Sequence, residues 1–165
     1  MATRGMIARK KTDYNFEGRY HHWDSYPEGL GETLCKLYQG HFKRDVATML
    51  HVLIDEHPAG WSTIVDRDFT REPGFRAGPD DDRGQPQCYC HGARHEESYL
   101  YTSLPAGWTD IEYAYVIDEN AVMTVYHHCL IGRHTYTWEV VKTVNMNEWQ
   151  ESGEERIPAA SSPSL

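Results

Sequence analysis

The stretch IEYAYVIDENAVMTVYHHCL, residues 111–130, decides the fold class. Two runs rich in Tyr, Val and Thr flank Asp118-Glu119-Asn120, a triplet with turn chemistry. The pattern predicts an antiparallel hairpin with strands over 111–118 and 121–130. Residues 98–103 and 134–144 have similar compositions and are predicted as further strands. The second half of the chain is therefore predicted to be a β-sheet.

The first half is predicted to contain another hairpin and two helices. Residues 3–10 and 14–23 mix bulky and polar side chains and read as strands joined near residues 12–13, and a short apolar run over 61–65 fits a strand or a packed loop. Between them, apolar residues recur at helical spacing over 30–42, where Gly40 ends the helix, and again after Asp45, which can cap a second helix. We expect an α+β fold, an antiparallel sheet with both helices packed on one face.

The length of 165 residues fits one domain, which we place over residues 1–150. A long loop over 66–87 contains three Pro, three Gly and three consecutive Asp, a composition typical of disorder. The tail over 151–165 is rich in Glu, Ser and Pro and is also predicted to be disordered.

The net charge of -9 disfavours direct binding to nucleic acid, because it repels a phosphate backbone. No run of residues is apolar enough to cross a membrane or to act as a secretory signal, so we expect a soluble cytoplasmic protein without membrane partners. The four cysteines are expected to be reduced thiols in that compartment. An acidic surface could also imitate nucleic acid or bind a basic partner.

The densest group of polar and aromatic side chains lies over residues 19–27, where a strand ends in a turn before a helix. Aromatic rings there could stack on a planar ligand, and imidazole or carboxylate groups could orient its polar atoms. The alternative is structural, with the carboxylate of Asp24 bonded to turn amides and the rings of Trp23 and Tyr26 in the core. The predicted ligand-binding residues are Arg4, Tyr20, His22, Trp23, Asp24, Tyr26 and Glu112.

The opening MATR, residues 1–4, and YHHWDSYPEGLG, residues 20–31, resemble a family of small phage and bacterial hypothetical proteins. The usual family form is M-x-T-R followed by Y-x-x-W/F-D-G-Y-P-x-x-x-G, and Ser25 stands where the family usually has Gly. CYCHG, residues 88–92, and EYAYV, residues 112–116, resemble segments of its longer members. The resemblance implies a phage or mobile-element setting and supplies no mechanism.

Cys88, Cys90, His91 and His95 form the candidate metal site, because thiolates and imidazoles are the ligands that zinc prefers. Structural zinc sites usually draw ligands from two separated segments, so His127, His128 or Cys129 could complete the set if their strand lies alongside. The alternative is a pair of reduced thiols beside solvated histidines.

The chain shows no local signature of a nucleophilic catalyst and no glycine-rich phosphate loop, so binding is favoured over catalysis. The leading hypothesis is a module that binds a small polar or nucleotide-like ligand or a host protein, which in a phage setting could sequester a host-defence signal. The alternatives are a zinc-dependent enzyme built on the cysteine–histidine segment, and an acidic interaction protein or nucleic-acid mimic.

Overall fold

The computed structural model describes residues 2–66, 69, 85–91 and 96–151. Most of the loop predicted over 66–87 lies outside these ranges, as do His95 and the predicted tail beyond residue 151. The disorder predicted for the loop and the tail therefore stays a prediction.

Within the described ranges, the strands form a sheet in the order β4-β3-β2-β1-β5-β6-β7. The strands are β1 Gly5–Lys10, β2 Phe16–His21, β3 Trp61–Thr63, β4 Gln87–Cys88, β5 Tyr113–Ile117, β6 Val122–Leu130 and β7 Tyr136–Asn145. The two predicted hairpins are confirmed, because β1 pairs antiparallel with β2 and β5 with β6. The pairs β1–β5 and β2–β3 are parallel, so the sheet is mixed rather than purely antiparallel. The β2-to-β3 connection carries the helices, as parallel strands require a long crossover.

Two α-helical segments lie in that crossover, α1 Glu32–Gln39 and α2 Val46–Leu50. A wider π-helical turn, Pro27–Gly31, precedes α1, and another, His51–Asp55, follows α2. The predicted cap is confirmed, since the Asp45 carboxylate accepts a hydrogen bond from the Thr48 N–H at 3.0 Å. None of the helices described is long and apolar enough to cross a membrane.

The sheet has a core on each face. Both helices pack on one face, as predicted. The buried side chains Leu34, Leu37 and Met49 of the helices, and Leu53 of the π-helical turn after α2, join Ile7, Trp61 and Tyr115 of the sheet in one cluster. The opposite face holds a smaller cluster of Met6, Ala8, Phe16, Ile111 and Ala114. Side chains alternate between faces along a strand, so neighbouring residues at the end of β2 face different cores.

The prediction of a strand over 98–103 is wrong. The described chain forms only an isolated bridge there, in which Gly18 and Tyr101 exchange backbone hydrogen bonds of 2.8 and 2.9 Å. Pro105 follows shortly after and has no N–H to continue a ladder. The segment crosses the second face of the sheet as a loop, where Tyr101 and Leu104 pack against the smaller core.

Candidate functional site

The turn that follows β2 is held tightly on both sides. The Trp23 N–H donates to the Ser62 carbonyl of β3 at 3.1 Å, and the Leu30 N–H donates to the Asp24 carbonyl at 2.9 Å. Asp24 has a left-handed backbone with φ of 56°, a conformation that Asp and Asn tolerate better than most residues. A Cβ at Gly29 would collide with the Asp24 carbonyl oxygen. The left-handed residue of this turn is therefore Asp24 and not Ser25.

A network of buried hydrogen bonds holds this turn in place. His21 Nε2 accepts a bond from the Ile64 N–H at 3.0 Å, so the proton of a neutral imidazole lies on Nδ1. Nδ1 is 2.8 Å from the Ser25 Oγ and donates to it. The Tyr115 hydroxyl donates to the Ser25 carbonyl at 2.5 Å. His21 thus has no free lone pair for the Ser25 proton, and this Ser–His pair supports the turn rather than forming a nucleophile and its base.

A cavity of about 400 Å³ opens beside the turn. Its lining combines aromatic rings, two threonine hydroxyls, one carboxylate and aliphatic side chains: His21, Trp23, Asp24, Tyr26, Gly29, Leu30, Thr33, Thr63, Ile64 and Val65. Asp24 and Tyr26 are exposed and Trp23 is half-buried, whereas His21 and Leu30 are buried. The turn therefore presents its polar and aromatic side chains over an apolar floor.

The structure brings some of the seven predicted ligand-binding residues together at the cavity and places the others elsewhere. Trp23, Asp24 and Tyr26 line the cavity together. Tyr20 packs with the smaller core on the opposite face, and its hydroxyl is 2.7 Å from His22 Nδ1. The two remaining residues, Arg4 and Glu112, do not line the cavity either. Arg4 lies 3.8 Å from Asp110, and Glu112 is exposed.

The buried histidine of this network makes the fold sensitive to acid. Burial, with a smaller effect from His22, lowers the pKa of His21 to about 3. Because the unfolded chain binds this proton near pH 6.5 and the folded chain does not, we expect stability to fall as pH drops from 6.5 towards 3, by up to about 1.4 kcal/mol per unit. Urea unfolding at pH 7 and pH 5 measures this loss.

The matched variants for this prediction are His21→Asn, which removes the titrating ring, and His134→Asn, which removes an exposed one. His57 titrates in the same pH range, since burial and the nearby His91 lower its pKa to about 4. The variant His57→Gln therefore measures how much His57 contributes to the pH dependence of stability. The pH dependence should shrink in His21→Asn and persist in His134→Asn. Equal slopes in these two variants would contradict the assignment.

A second group of chemistry-bearing side chains consists of His57, Cys88, Cys90 and His91, called the His–Cys cluster below. One potential ligand atom from each residue lies within 4.8 Å of the others. Cys88 Sγ is 3.1 Å from His91 Nδ1, and Cys90 Sγ accepts a hydrogen bond from the Ala59 N–H at 3.2 Å. This arrangement of two thiols and two imidazoles could hold a metal ion.

The pairing of β3 with β4 creates the His–Cys cluster. Trp61 stands opposite Cys88 in the ladder, and the Tyr89 N–H donates to the Gly60 carbonyl at 3.0 Å. A turn closed by the Gly60 N–H and the His57 carbonyl at 3.0 Å brings His57 back beside the cysteines. Burial and the neighbouring Cys90 thiol raise the pKa of Cys88 to about 11. A bound divalent cation would reverse that shift by favouring the thiolate.

Three of the four predicted metal residues thus come together, and His95 lies outside the described residues. His57 was missed because it stands 31 residues before Cys88 and only the strand pairing brings the two close. The second half-site suggested on β6 is wrong. Four strands separate β4 from β6, and Cys129 instead lies 3.3 Å from His127 and 3.4 Å from Glu139.

A further cavity of about 260 Å³ lies beside the tip of the first hairpin. Lys10 and Asp13 are among its lining residues, and they pair with each other at 3.6 Å. The ring of Tyr14 is 88% exposed at its rim. None of the predicted site residues that the structure describes, and no residue of the His–Cys cluster, lines this cavity.

Comparison of the chain with protein-family models, with curated proteins and with solved structures finds no match. The geometry of the cavity and of the His–Cys cluster is therefore what indicates a function.

Proposed function

We propose that this chain is a binding protein that holds a small, planar, polar ligand in the cavity beside Trp23, Asp24 and Tyr26. The observation that carries the proposal is that these three predicted residues line one cavity of about 400 Å³. Ligand sites in proteins are mostly apolar concavities of about 300–1,000 Å³ with a few placed polar groups. The buried bonds of His21, Ser25 and Tyr115 favour a turn that keeps its shape in the absence of ligand.

The residues that line the cavity indicate which class of ligand it would bind. The rings of Trp23 and Tyr26 can stack on a flat heterocycle, and the Asp24 carboxylate accepts hydrogen bonds from an amino group. The hydroxyls of Thr33 and Thr63 can donate or accept. Among the residues that the structure describes, the lining contains no Lys or Arg, so none of them offers a phosphate group a cationic partner. A nucleobase or nucleoside suits the cavity better than the phosphate part of a nucleotide.

The zinc-dependent enzyme gains less support from the geometry. The residues of the His–Cys cluster do not line this cavity, so an ion held there would not contact a ligand stacked on Trp23. His21 and Ser25 are both buried, and their hydrogen bonds are committed within the turn. Binding without chemistry is therefore the better proposal, and sequestration of a nucleotide-derived signal in the cytoplasm is the role that the phage resemblance favours.

The proposal predicts saturable nucleoside binding that depends on Trp23. Nuclear magnetic resonance titration with the four ribonucleosides and their 5′-monophosphates should shift the amides of residues 23–30 and 63–65. Stacking on one aromatic side chain is worth about 1–3 kcal/mol, so Trp23→Ala should weaken binding about 5- to 150-fold. Asp24→Asn keeps a residue that tolerates the left-handed backbone and removes the carboxylate, so it should weaken binding of ligands with amino groups.

Trp108→Ala is the matched control, because the ring of Trp108 is 72% exposed and lies outside the cavity lining. It should leave nucleoside binding unchanged. Shifts confined to other residues, or no saturable shift with any of the eight compounds, would contradict the proposal. Monophosphates that bind much more tightly than nucleosides would contradict the assigned ligand class.

A further inference from the structure

We propose that His57, Cys88, Cys90 and His91 bind a structural zinc ion that fastens the edge strand β4 to the turn before β3. The ligands come from two separated segments, one at residue 57 and one at residues 88–91, as structural zinc sites usually require. This site is independent of the cavity at Trp23.

The distances suit a tetrahedral ion after a small contraction. Zinc bonds of about 2.3 Å to sulfur and 2.0–2.1 Å to nitrogen place tetrahedral ligand atoms about 3.3–3.8 Å apart. The four potential ligand atoms already lie within 4.8 Å of one another, and Cys88 Sγ and His91 Nδ1 are at 3.1 Å. Shifts of about 1 Å or less would therefore form the site.

A buried unpaired atom in the cluster gives independent support. His57 is 4% exposed, and its Nδ1 is the buried side-chain nitrogen or oxygen that lacks a hydrogen-bond partner among the residues described. A buried polar atom left unpaired destabilises the fold, because it loses its hydrogen bond to water without a replacement. Metal coordination through Nδ1 would supply the missing partner.

The surroundings of the cysteines also fit zinc-bound thiolates. The Ala59 N–H points at Cys90 Sγ, and such a bond is stronger when the sulfur is charged. Two thiolates and two imidazoles are the donor set of many closed structural zinc sites, whereas iron–sulfur clusters commonly use four cysteines. With four protein ligands, no coordination position stays open for a substrate.

The sheet explains why an ion would be useful here. β4 contains two residues, Gln87 and Cys88, and its register against β3 is irregular. Two ladder positions give such a short edge strand little stability of its own. A metal bond through Cys88 would anchor β4 where backbone pairing is weakest.

The first test is the metal content and coordination of the full-length wild-type protein after loading with one equivalent of zinc chloride and gel filtration. We expect one zinc per chain, and X-ray absorption with two sulfur neighbours near 2.3 Å and two nitrogen neighbours near 2.0–2.1 Å. This measurement needs no variant. A chain that retains no zinc, or a spectrum with fewer than two sulfur neighbours, overturns the proposal.

Variants then assign the ligands. His57→Gln should weaken zinc binding by more than the roughly 10- to 100-fold that follows loss of a hydrogen-bond partner behind a metal ligand. Cys129→Ser is the matched control, because Cys129 also lies beside a histidine but on β6, which four strands separate from β4. Loss of zinc in Cys129→Ser with retention in His57→Gln overturns the assignment.

Hydrogen exchange tests the structural role. Removal of zinc with a chelator should speed exchange at the Tyr89 amide, which bonds to Gly60 beside the ion, and leave the Ile7 amide in the sheet centre protected. Unchanged exchange at Tyr89 overturns the fastening role. Nucleoside shifts at residues 23–30 report the proposed ligand site separately, so failure of either proposal is distinguishable from failure of the other.

Discussion

Replacement of Trp61 by alanine is expected to lower the free energy of unfolding by about 3–5 kcal/mol, the usual cost of truncating a large core aromatic side chain. Trp61 is fully buried and its indole N–H donates to the Leu53 carbonyl at 2.9 Å. Its ring packs against His57, with centroids 4.5 Å apart, and against Phe69 at 5.8 Å. Urea unfolding at pH 7 measures the loss.

Two other variants show which part of Trp61 matters. Trp61→Phe keeps an aromatic ring and loses the bond to Leu53, so its cost should fall between those of the wild type and Trp61→Ala. Trp108→Ala removes an exposed indole and should change stability by less than about 0.5 kcal/mol. A Trp61→Ala protein as stable as Trp108→Ala would contradict the packing described for the helix face.

The second large effect is expected at Gly60. Gly60 has φ of +85°, and a Cβ there would lie 2.8 Å from the backbone oxygen of Tyr20. The left-handed conformation costs a non-glycine residue about 1–2 kcal/mol, and overpacking against a fixed group adds about 1–3 kcal/mol. Gly60→Ala should therefore destabilise the fold by about 2–5 kcal/mol, because the oxygen belongs to a central strand that cannot easily move.

Gly107→Ala separates the two causes. Gly107 has φ of +75°, and a Cβ there would meet no atom of the described residues within 4 Å. This variant should show only the conformational cost, which is about 1–2 kcal/mol. Thermal or urea unfolding of the two variants side by side measures the difference. Equal losses would mean that the close approach to Tyr20 does not constrain the turn before β3.

Local pattern was enough to predict the elements formed by neighbouring residues. The hairpins followed from alternation and turn residues, and the Asp45 cap followed from the chemistry of a short acidic side chain. The parallel pairing of β1 with β5 could not be predicted in this way, since each strand carries the same apolar pattern whichever neighbour it has. The segment around Tyr101 has strand composition but lacks a continuous partner.

The same limit applies to the candidate sites, because local sequence predicts residues that stand close together in the chain and not those that strand pairing brings together. Trp23, Asp24 and Tyr26 were predicted together because they stand in one turn of the chain. Thr63 also lines the cavity, because the parallel pairing of β3 with β2 places it there. The sequence around Thr63 does not indicate this position. His57 joins Cys88 in the same way, through the ladder between β3 and β4.

The position of β1 in the sheet also has consequences for the order of folding. β1 lies between β2, which follows it directly, and β5, whose Tyr113 pairs with Gly5 across 108 positions of the chain. The first hairpin can close early, but β1 keeps unpaired backbone groups on its other side until it pairs with β5. Closing so long a loop costs entropy before the new contacts repay it. Pairing of β1 with β5 is therefore expected to be a late step, and the ribosome must release β5 before the central sheet can close.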